Sequence, residues 1–174
     1  MYKRIGICQE EPGDVAGIRS VNENAFGQPE EANIVDALRA AGGVILSLVA
    51  VEEGEIVGHI LFSPVTIESE VGVFAAVGLA PMAVLPTHQR KGIGSKLVQT
   101  GLEKLRPMGH EAVIVLGHAE YYPRFGFVPA SKYSIRWEME VPDDVFMVLE
   151  LKHGALHERG GVVRYRPEFT AVAD

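Results

Sequence analysis

The residues LPTHQRKGIGSKLV, Leu85–Val98, carry the strongest signal in this 174-residue chain. Among them, Arg90 and Lys91 stand directly before two glycines, where an apolar segment passes into one with helical spacing. The first amides of a helix have no acceptor inside it and carry partial positive charge, so such a junction suits phosphate. Gly92 and Gly94 permit positive φ and close approach of a ligand to the backbone. The pattern predicts a pyrophosphate-binding loop; the alternative is a glycine-bearing turn with a solvated basic pair.

The composition restricts what such a loop can bind. The formal net charge is −7, and 47% of the residues are hydrophobic. Sequence-independent nucleic-acid binding needs many Lys and Arg side chains to neutralise phosphates, so nucleic acid is not an expected partner. The spacing also departs from the nucleoside-triphosphate P-loop and from the dinucleotide fingerprint. A small anionic ligand on one globular domain is the expectation.

The terminal and cysteine patterns favour a cytoplasmic protein. Cys8 is the single cysteine, which excludes an internal disulfide and is compatible with a reducing compartment. The first residues lead into no long apolar segment, so no signal peptide is expected. The longest apolar run, around Val44–Val51, is too short to span a bilayer, and no membrane association is predicted.

Apolar periodicity predicts the order of the elements. Strands are expected at Lys3–Cys8, Val44–Val51, Ile56–Ile67, Phe74–Leu85, Ala112–Leu116, Phe127–Pro129 and Val145–Leu151, whereas the tail from His153 onward shows no strong pattern until Val162–Tyr165. Helices are expected from Asp14, from Pro29 to the glycines at 42 and 43, and from Ile93 to Leu105, with a helical turn or two at Ala119–Arg124. This order predicts a mixed α/β sheet. Within the fourth strand, Pro81 cannot donate to a ladder, so a bulge is expected near Pro81 and Met82.

Two blocks of the sequence resemble motifs of the GCN5-related N-acetyltransferase (GNAT) superfamily. Gln89–Gly94, QRKGIG, matches the acetyl-CoA signature [QR]-x-x-G-x-[GA] of that family. Ala119–Phe127, AEYYPRFGF, resembles its second, tyrosine-containing block. One predicted helix and one predicted strand separate the two blocks, in the family's order. With Gly58–Phe62 and the dipeptide Gly117-His118, the chain looks most like a bacterial YhbS-like group.

The resemblance implies a fold and a cofactor. Residues 3–151 would form the GNAT domain, an α/β (α+β) fold whose mixed, mostly antiparallel sheet is flanked by helices and splays between its fourth and fifth strands. Residues 152–174 would form a C-terminal extension packed on or beside the domain. Backbone groups of Met82, Ala83 and Val84 would contact the pantetheine arm of acetyl-CoA. The diphosphate would lie on the loop residues Gln89, Arg90, Lys91, Gly92, Ile93, Gly94 and Ser95.

The resemblance also implies transfer of an acetyl group from acetyl-CoA to a primary amine. Tyr122 matches the family tyrosine near the thioester sulfur and is assigned as the general acid; a packing aromatic is the alternative. The segment Gly78–Pro86 holds no carboxylate to serve as base. His118 is therefore the candidate base, directly or through water, with His59 and Glu23 as weaker candidates. A substrate amine that arrives neutral remains a further possibility.

Several alternatives stay open at this point. A non-catalytic acyl-CoA-binding or sensor module has the same fold, and an acyltransferase with a longer donor chain has the same motifs. Cys8 lies in the first predicted strand, so direct transfer without an acyl-enzyme is favoured. The acceptor is a small-molecule or peptide amine, and a homodimer is possible.

Two further groups of residues receive plain interpretations. His153 and His157 lie four residues apart with no third ligand nearby, so no metal site is expected. An acidic edge is expected to be solvated, although it could attract a cationic substrate. It consists of Glu138, Glu140, Asp143 and Asp144.

Overall fold

The structure, a computed structural model, describes residues 4–171, in which the chain divides into two compact units. Unit 1 contains the described residues up to Phe62, then Ala80–Gly101 and the residues from Pro167 onward. Unit 2 contains Ser63–Leu79 and Leu102–Arg166. Lys3, where the first strand was expected to begin, and the end of the expected extension, 172–174, lie outside the described residues. No helix within 4–171 has both the length and the apolar character that crossing a bilayer requires.

The secondary structure follows the predicted order and confirms a mixed α/β architecture. The strands are β1 (Ile5–Gln9), β2 (Leu46–Glu52), β3 (Glu55–Ser69), β4 (Gly72–Val84), β5 (Ala112–Leu116), β6 (Val128–Pro129), β7 (Ile135–Trp137), β8 (Phe146–Glu150) and β9 (Gly161–Arg164). The helices are α1 (Val15–Phe26), α2 (Glu30–Ala40), α3 (Ile93–Leu105) and α4 (Glu168–Ala171). Of these elements, β7, β9 and α4 have no predicted counterpart, although β9 overlaps the patterned segment Val162–Tyr165.

Unit 1 is built on antiparallel pairing. β1 pairs with β2 from Ile5 opposite Glu52 to Gln9 opposite Leu48, and β2 pairs in turn with β3. β2 and β3 form a hairpin with a two-residue turn of Glu53 and Gly54. Both turn residues have positive φ, 49° and 81°, which matches the right-handed twist of the flanking strands.

Helices cover both faces of the unit 1 sheet. Side chains alternate between the two faces along β3, so residues of this strand contact helices on both sides. Leu61 packs with Ile18 of α1 and Val35 of α2 in one buried cluster. On the opposite face, a Cβ atom built on Gly58 would lie 3.1 Å from side-chain atoms of Ile93 and Leu97 in α3. The absence of a side chain at 58 therefore lets α3 approach β3 closely.

Unit 2 carries the rest of the strand pairing. β4 runs parallel to β5, with Val77 opposite Val113 and Gly78 opposite Ile114. β5 pairs antiparallel with β8, and β8 with β6. β9 pairs antiparallel with the second half of β3, around Ile67, and parallel with β7. The buried core of this unit includes Ile67, Ile114, Ile135, Phe146, Val148 and Val163.

Candidate active site

In unit 1, the carboxyl end of β4 leads into the glycine loop. Pro81 and Ala83 are buried, whereas Met82 and Val84 are half-buried. The Ala80–Pro81 peptide bond is cis and the strand continues through it, so the bulge expected here stays a prediction. Beyond the strand, the amide of Leu85 donates to the carbonyl of Val57 at 2.9 Å, which attaches the chain to β3.

The chain turns sharply after Leu85. Pro86–His88 form a single 3-10 turn, in which the His88 amide donates to the Leu85 carbonyl at 2.8 Å. The side-chain amide of Gln89 donates back to the carbonyl of Val84 at 3.0 Å. Thus the first residue of the signature holds the turn through its side chain.

The loop then presents its backbone at the beginning of α3. Arg90 and Gly92 have φ values of 62° and 82°, in the left-handed region. The Lys96 amide donates to the Gly92 carbonyl at 3.1 Å, so the amides of Ile93 and Gly94 precede the intrahelical bonds. A Cβ atom built on Gly92 would meet nothing within 4 Å. The geometry fits a diphosphate, because the amides of Ile93 and Gly94 lie in the first turn of α3 beside two exposed cationic residues, Arg90 and Lys91.

In unit 2, Tyr122 occupies the one-turn 3-10 segment Tyr122–Phe125 and is 6% exposed. Its ring meets Tyr121 edge-on at a centroid distance of 5.1 Å and Phe127 at 5.6 Å. A Cβ atom on Gly117 would overlap with the ring, so a glycine is needed beneath it. Burial, and to a smaller extent Tyr121, raises the pKa of the Tyr122 phenol above its ordinary value.

His118 begins the turn that positions this tyrosine. The His118 carbonyl accepts hydrogen bonds from the amides of Tyr121 at 3.1 Å and Tyr122 at 3.4 Å. The residue is exposed to solvent. The structure therefore brings His118 and Tyr122 together through the backbone, and it leaves the imidazole accessible from outside.

His59, one weaker candidate base, lies in the interior of unit 1. It is 0% exposed, with Nε2 at 2.9 Å from Ser47 Oγ and Nδ1 at 3.1 Å from Asn22 Nδ2. Ser47 in turn donates to Glu10 at 2.9 Å. Burial lowers the pKa of His59 to about 4. With both ring nitrogens engaged and no contact with solvent, His59 is placed to hold structure and not to accept a substrate proton.

Glu23, the other weaker candidate, is part of an ion pair on the helices. Its carboxylate lies 2.7 Å from Arg19 Nε, one helical turn away, and Arg19 also donates to Asp36 at 2.7 Å. This network joins α1 to α2. Glu23 is therefore committed to a cation, and the geometry does not favour it as a base.

The acidic edge of unit 2 lines an open pocket of about 380 Å³. Trp137 and the buried Phe146 form part of its wall, and their rings stack at a centroid distance of 6.4 Å. Of the acidic residues, Glu138 is paired with Arg164, whereas Glu140 and Asp143 are exposed at the pocket. All four residues of the expected acidic edge, Asp144 included, are exposed, and Glu138 makes a surface ion pair in addition.

Two side-chain networks were not predicted from the sequence. One is the buried chain of hydrogen bonds from Asn22 through His59 and Ser47 to Glu10. The other joins His88 Nε2 to Glu52 Oε2 at 2.6 Å. Asn22 and His59 are 37 residues apart in the sequence, and Glu52 and His88 are 36 residues apart. No spacing rule in a sequence links residues so remote.

Comparison with known proteins agrees with this architecture. Residues 9–130 match the family model described as an acetyltransferase (GNAT) domain. The uncharacterized N-acetyltransferase YhbS of Escherichia coli K12 is 35% identical over 164 residues, which cover 94% of this chain and 97% of that protein. The uncharacterized N-acetyltransferase YjhQ of the same organism is 46% identical over 120 residues, 68% of this chain and 66% of its own length.

Solved structures give the same result. The crystal structure of YhbS from E. coli in complex with CoA superposes with a TM-score of 0.91 at 34% identity, covering 97% of this chain and 93% of that one. A GNAT family acetyltransferase from Brucella melitensis in complex with acetyl-CoA gives a TM-score of 0.78 at 38% identity, covering 97% and 99%. On the family model, the full-length relative and the fold together, this chain belongs to the GNAT acetyltransferase family.

Proposed function

We propose that the protein is an N-acetyltransferase that moves the acetyl group of acetyl-CoA directly to a primary amine. The observation that carries this proposal is the loop at the start of α3, where the first-turn amides of Ile93 and Gly94 follow the exposed Arg90 and Lys91 and the left-handed backbone of Gly92. The CoA and acetyl-CoA complexes of the two structural relatives support the same cofactor. Bacterial relatives and a single cysteine support a cytoplasmic enzyme.

The cofactor would be held chiefly by backbone groups. Amides from Gln89 to Ser95 would donate to the diphosphate, while Arg90 and Lys91 add positive charge. Backbone groups of Met82, Ala83 and Val84 would pair with the pantetheine arm. Since the Val84 carbonyl already accepts from Gln89, the larger part of this pairing falls to Met82 and Ala83. When bound, acetyl-CoA supplies an activated acetyl group as a thioester.

Tyr122 would stabilise the departing thiolate by donating a hydrogen bond from its hydroxyl. An ordinary phenol has a pKa of about 10 and an alkyl thiol one of about 8.5, so proton transfer from tyrosine to thiolate is uphill. Burial raises the pKa of Tyr122 further, which keeps the phenol protonated at neutral pH and makes full transfer less favourable. We therefore infer that Tyr122 donates a hydrogen bond to the thiolate and does not transfer its proton. The proton that the thiolate finally takes up would come from a water or from the amine.

His118 would accept the proton of the attacking amine, directly or through a water, because its side chain reaches solvent. Direct transfer is favoured over an acyl-enzyme by the place of Cys8. In unit 1, β2 and β3 stand between β1, which carries Cys8, and β4, a separation of roughly 14 Å at the usual spacing of strands.

A panel of amines tests the proposed reaction by following release of the CoA thiol with a chromogenic disulfide. The panel contains polyamines, amino acid amides, aminoglycosides and lysine-containing peptides. Di- and polyamines are included because Glu140 and Asp143 line the pocket of unit 2. Turnover with at least one amine supports the enzyme. Binding of acetyl-CoA without turnover across the panel supports the sensor module, and turnover only with longer acyl donors supports the third alternative.

A further inference from the structure

Residues 84–92, which we call the diphosphate loop, lack the side-chain packing that fixes most loop conformations. From Val84 to Gly92, all of which the structure describes, no residue is fully buried, and Gln89–Gly92 are exposed. The nearest buried side chains are those of Ala83 before the loop and Ile93 after it. The left-handed backbone at Arg90, a residue with a Cβ atom, is disfavoured unless the surroundings hold it. Hydrogen bonds from neighbouring residues must therefore stabilise the conformation of this loop.

One side-chain bond ties the loop to a distant strand of the same unit. His88 Nε2 donates to Glu52 Oε2 at 2.6 Å, and Thr87 Oγ1 lies 2.8 Å from the other ring nitrogen. The side chains of His88 and Glu52 are 21% and 15% exposed, so the bond is largely shielded from water. Glu52 is the last residue of β2, where it faces Glu55 across the hairpin. Its position is therefore set by the sheet and not by the loop.

We propose that Glu52 and His88 form a positioning pair that holds the diphosphate loop in its binding conformation. The pair acts through the backbone of the residues that follow His88, and neither residue needs to touch the cofactor. Because the diphosphate is the part of the cofactor that the loop would bind, the pair sets affinity for CoA without affecting recognition of the pantetheine end. This inference rests on the proposed function.

Three variants separate this role from alternatives. Glu52→Ala removes the acceptor. Glu52→Gln keeps an oxygen that can accept from His88 Nε2 and serves as the rescue variant. Glu55→Ala removes the same charge from an exposed position three residues further along the hairpin, without touching the pair. It therefore controls for the effect of a carboxylate on an anionic ligand.

The first measurement compares two ligands by calorimetry, CoA and pantetheine, which lacks the diphosphate. We expect Glu52→Ala to weaken CoA binding by about tenfold, the scale of one shielded charge-assisted hydrogen bond, with pantetheine binding unchanged. Glu52→Gln and Glu55→Ala bind CoA within about twofold of the wild type. In kinetics, Glu52→Ala raises KM for acetyl-CoA and leaves kcat at saturation unchanged.

The second measurement needs no cofactor. Backbone heteronuclear NOE values of residues 89–92 report loop order directly, and they should fall in Glu52→Ala while staying at the wild-type level in Glu52→Gln and Glu55→Ala. Unchanged values in Glu52→Ala, unchanged CoA affinity, or equal loss of CoA and pantetheine binding would each overturn the positioning role. A wild-type protein that binds no CoA sinks the proposed function instead, and the NOE comparison still decides whether the pair orders the loop.

Discussion

Gly117 lies directly beneath the ring of Tyr122, so close that a methyl group added at Gly117 would overlap with the ring edge. The closeness explains why a glycine follows β5. Tyr122 is also buried, and its ring packs edge-on against Tyr121 and Phe127. The position of the phenol hydroxyl is thus set by a residue five positions earlier in the chain.

Gly117→Ala should therefore impair catalysis through Tyr122. We expect a fall in kcat of about tenfold or more from a misplaced hydroxyl, and a loss of about 1–3 kcal/mol in the free energy of unfolding from overpacking. Steady-state kinetics and urea unfolding measure the two effects. Gly13→Ala is the control, because a Cβ atom at Gly13 meets nothing within 4 Å. Wild-type kcat in Gly117→Ala would show that the ring position is not critical.

Tyr122→Phe isolates the hydroxyl from the ring. The phenyl ring keeps the packing of the buried aromatic cluster, so CoA affinity and stability should stay near wild-type values. If the hydroxyl stabilises the thiolate, kcat falls by about 10- to 1000-fold, the range typical of losing one donor at a developing charge. Tyr121→Phe is the matched control on the neighbouring, half-buried ring. Equal turnover in wild type and Tyr122→Phe would remove Tyr122 from the mechanism.

Gly92→Ala tests the left-handed backbone of the loop. Alanine at a φ of 82° costs about 1 kcal/mol, and the open space around the position adds no clash. Gly27→Ala, at a φ of 69° and with equally open space, should cost the same stability. Only Gly92→Ala should weaken CoA binding, which calorimetry measures. The same CoA affinity in both variants would show that the loop backbone does not contact the cofactor.

The buried His59 predicts a pH dependence of stability. Burial lowers the pKa of His59 to about 4 in the folded protein, against about 6.5 in the unfolded chain. The unfolded state therefore binds the proton more tightly, so stability is complete above about pH 6.5 and falls toward pH 4, by at most about 1.4 kcal/mol per pH unit. The pKa of Glu10 is itself lowered, chiefly by Arg39, so its contribution is lost only at lower pH.

Urea unfolding at pH 7, 6 and 5 measures this slope. His59→Gln keeps a polar group that can reach Ser47 but carries no titrating ring, so the slope between pH 7 and 5 should flatten. His118→Gln, which changes an exposed histidine, is the matched control. A wild-type stability that does not change between pH 7 and pH 5 would contradict the buried neutral state of His59.

The sequence predicts those elements of the fold that depend on local patterns of residues. Ile93, Leu97 and Leu105 repeat at helical spacing, and they are buried on one face of α3. The hairpin of β2 and β3 follows from Glu53-Gly54, which accepts the positive φ that a two-residue turn requires. In contrast, β7 has only three residues and exists because it pairs with β9, some 26 positions later. No local pattern predicts such a strand.

Some residues of the candidate site could be predicted from the sequence, and others could not. Gln89–Gly94 and Tyr122 lie in two blocks that resemble motifs of the family, so the sequence alone points to them. The Glu52–His88 pair and the burial of His59 depend on which side chains the fold brings together, and periodicity does not encode that. The sequence pattern around a histidine in an apolar strand is the same whether its ring is buried or lines a cleft.

Calorimetric titration of the wild-type protein with CoA shows whether the glycine loop at the start of α3 serves a cofactor. We expect one binding site per chain with a Kd between about 1 μM and 1 mM, in the range where KM values of enzymes fall, and weaker binding in Gly92→Ala. Absence of binding to both CoA and acetyl-CoA at millimolar concentration would rule out a CoA-dependent enzyme.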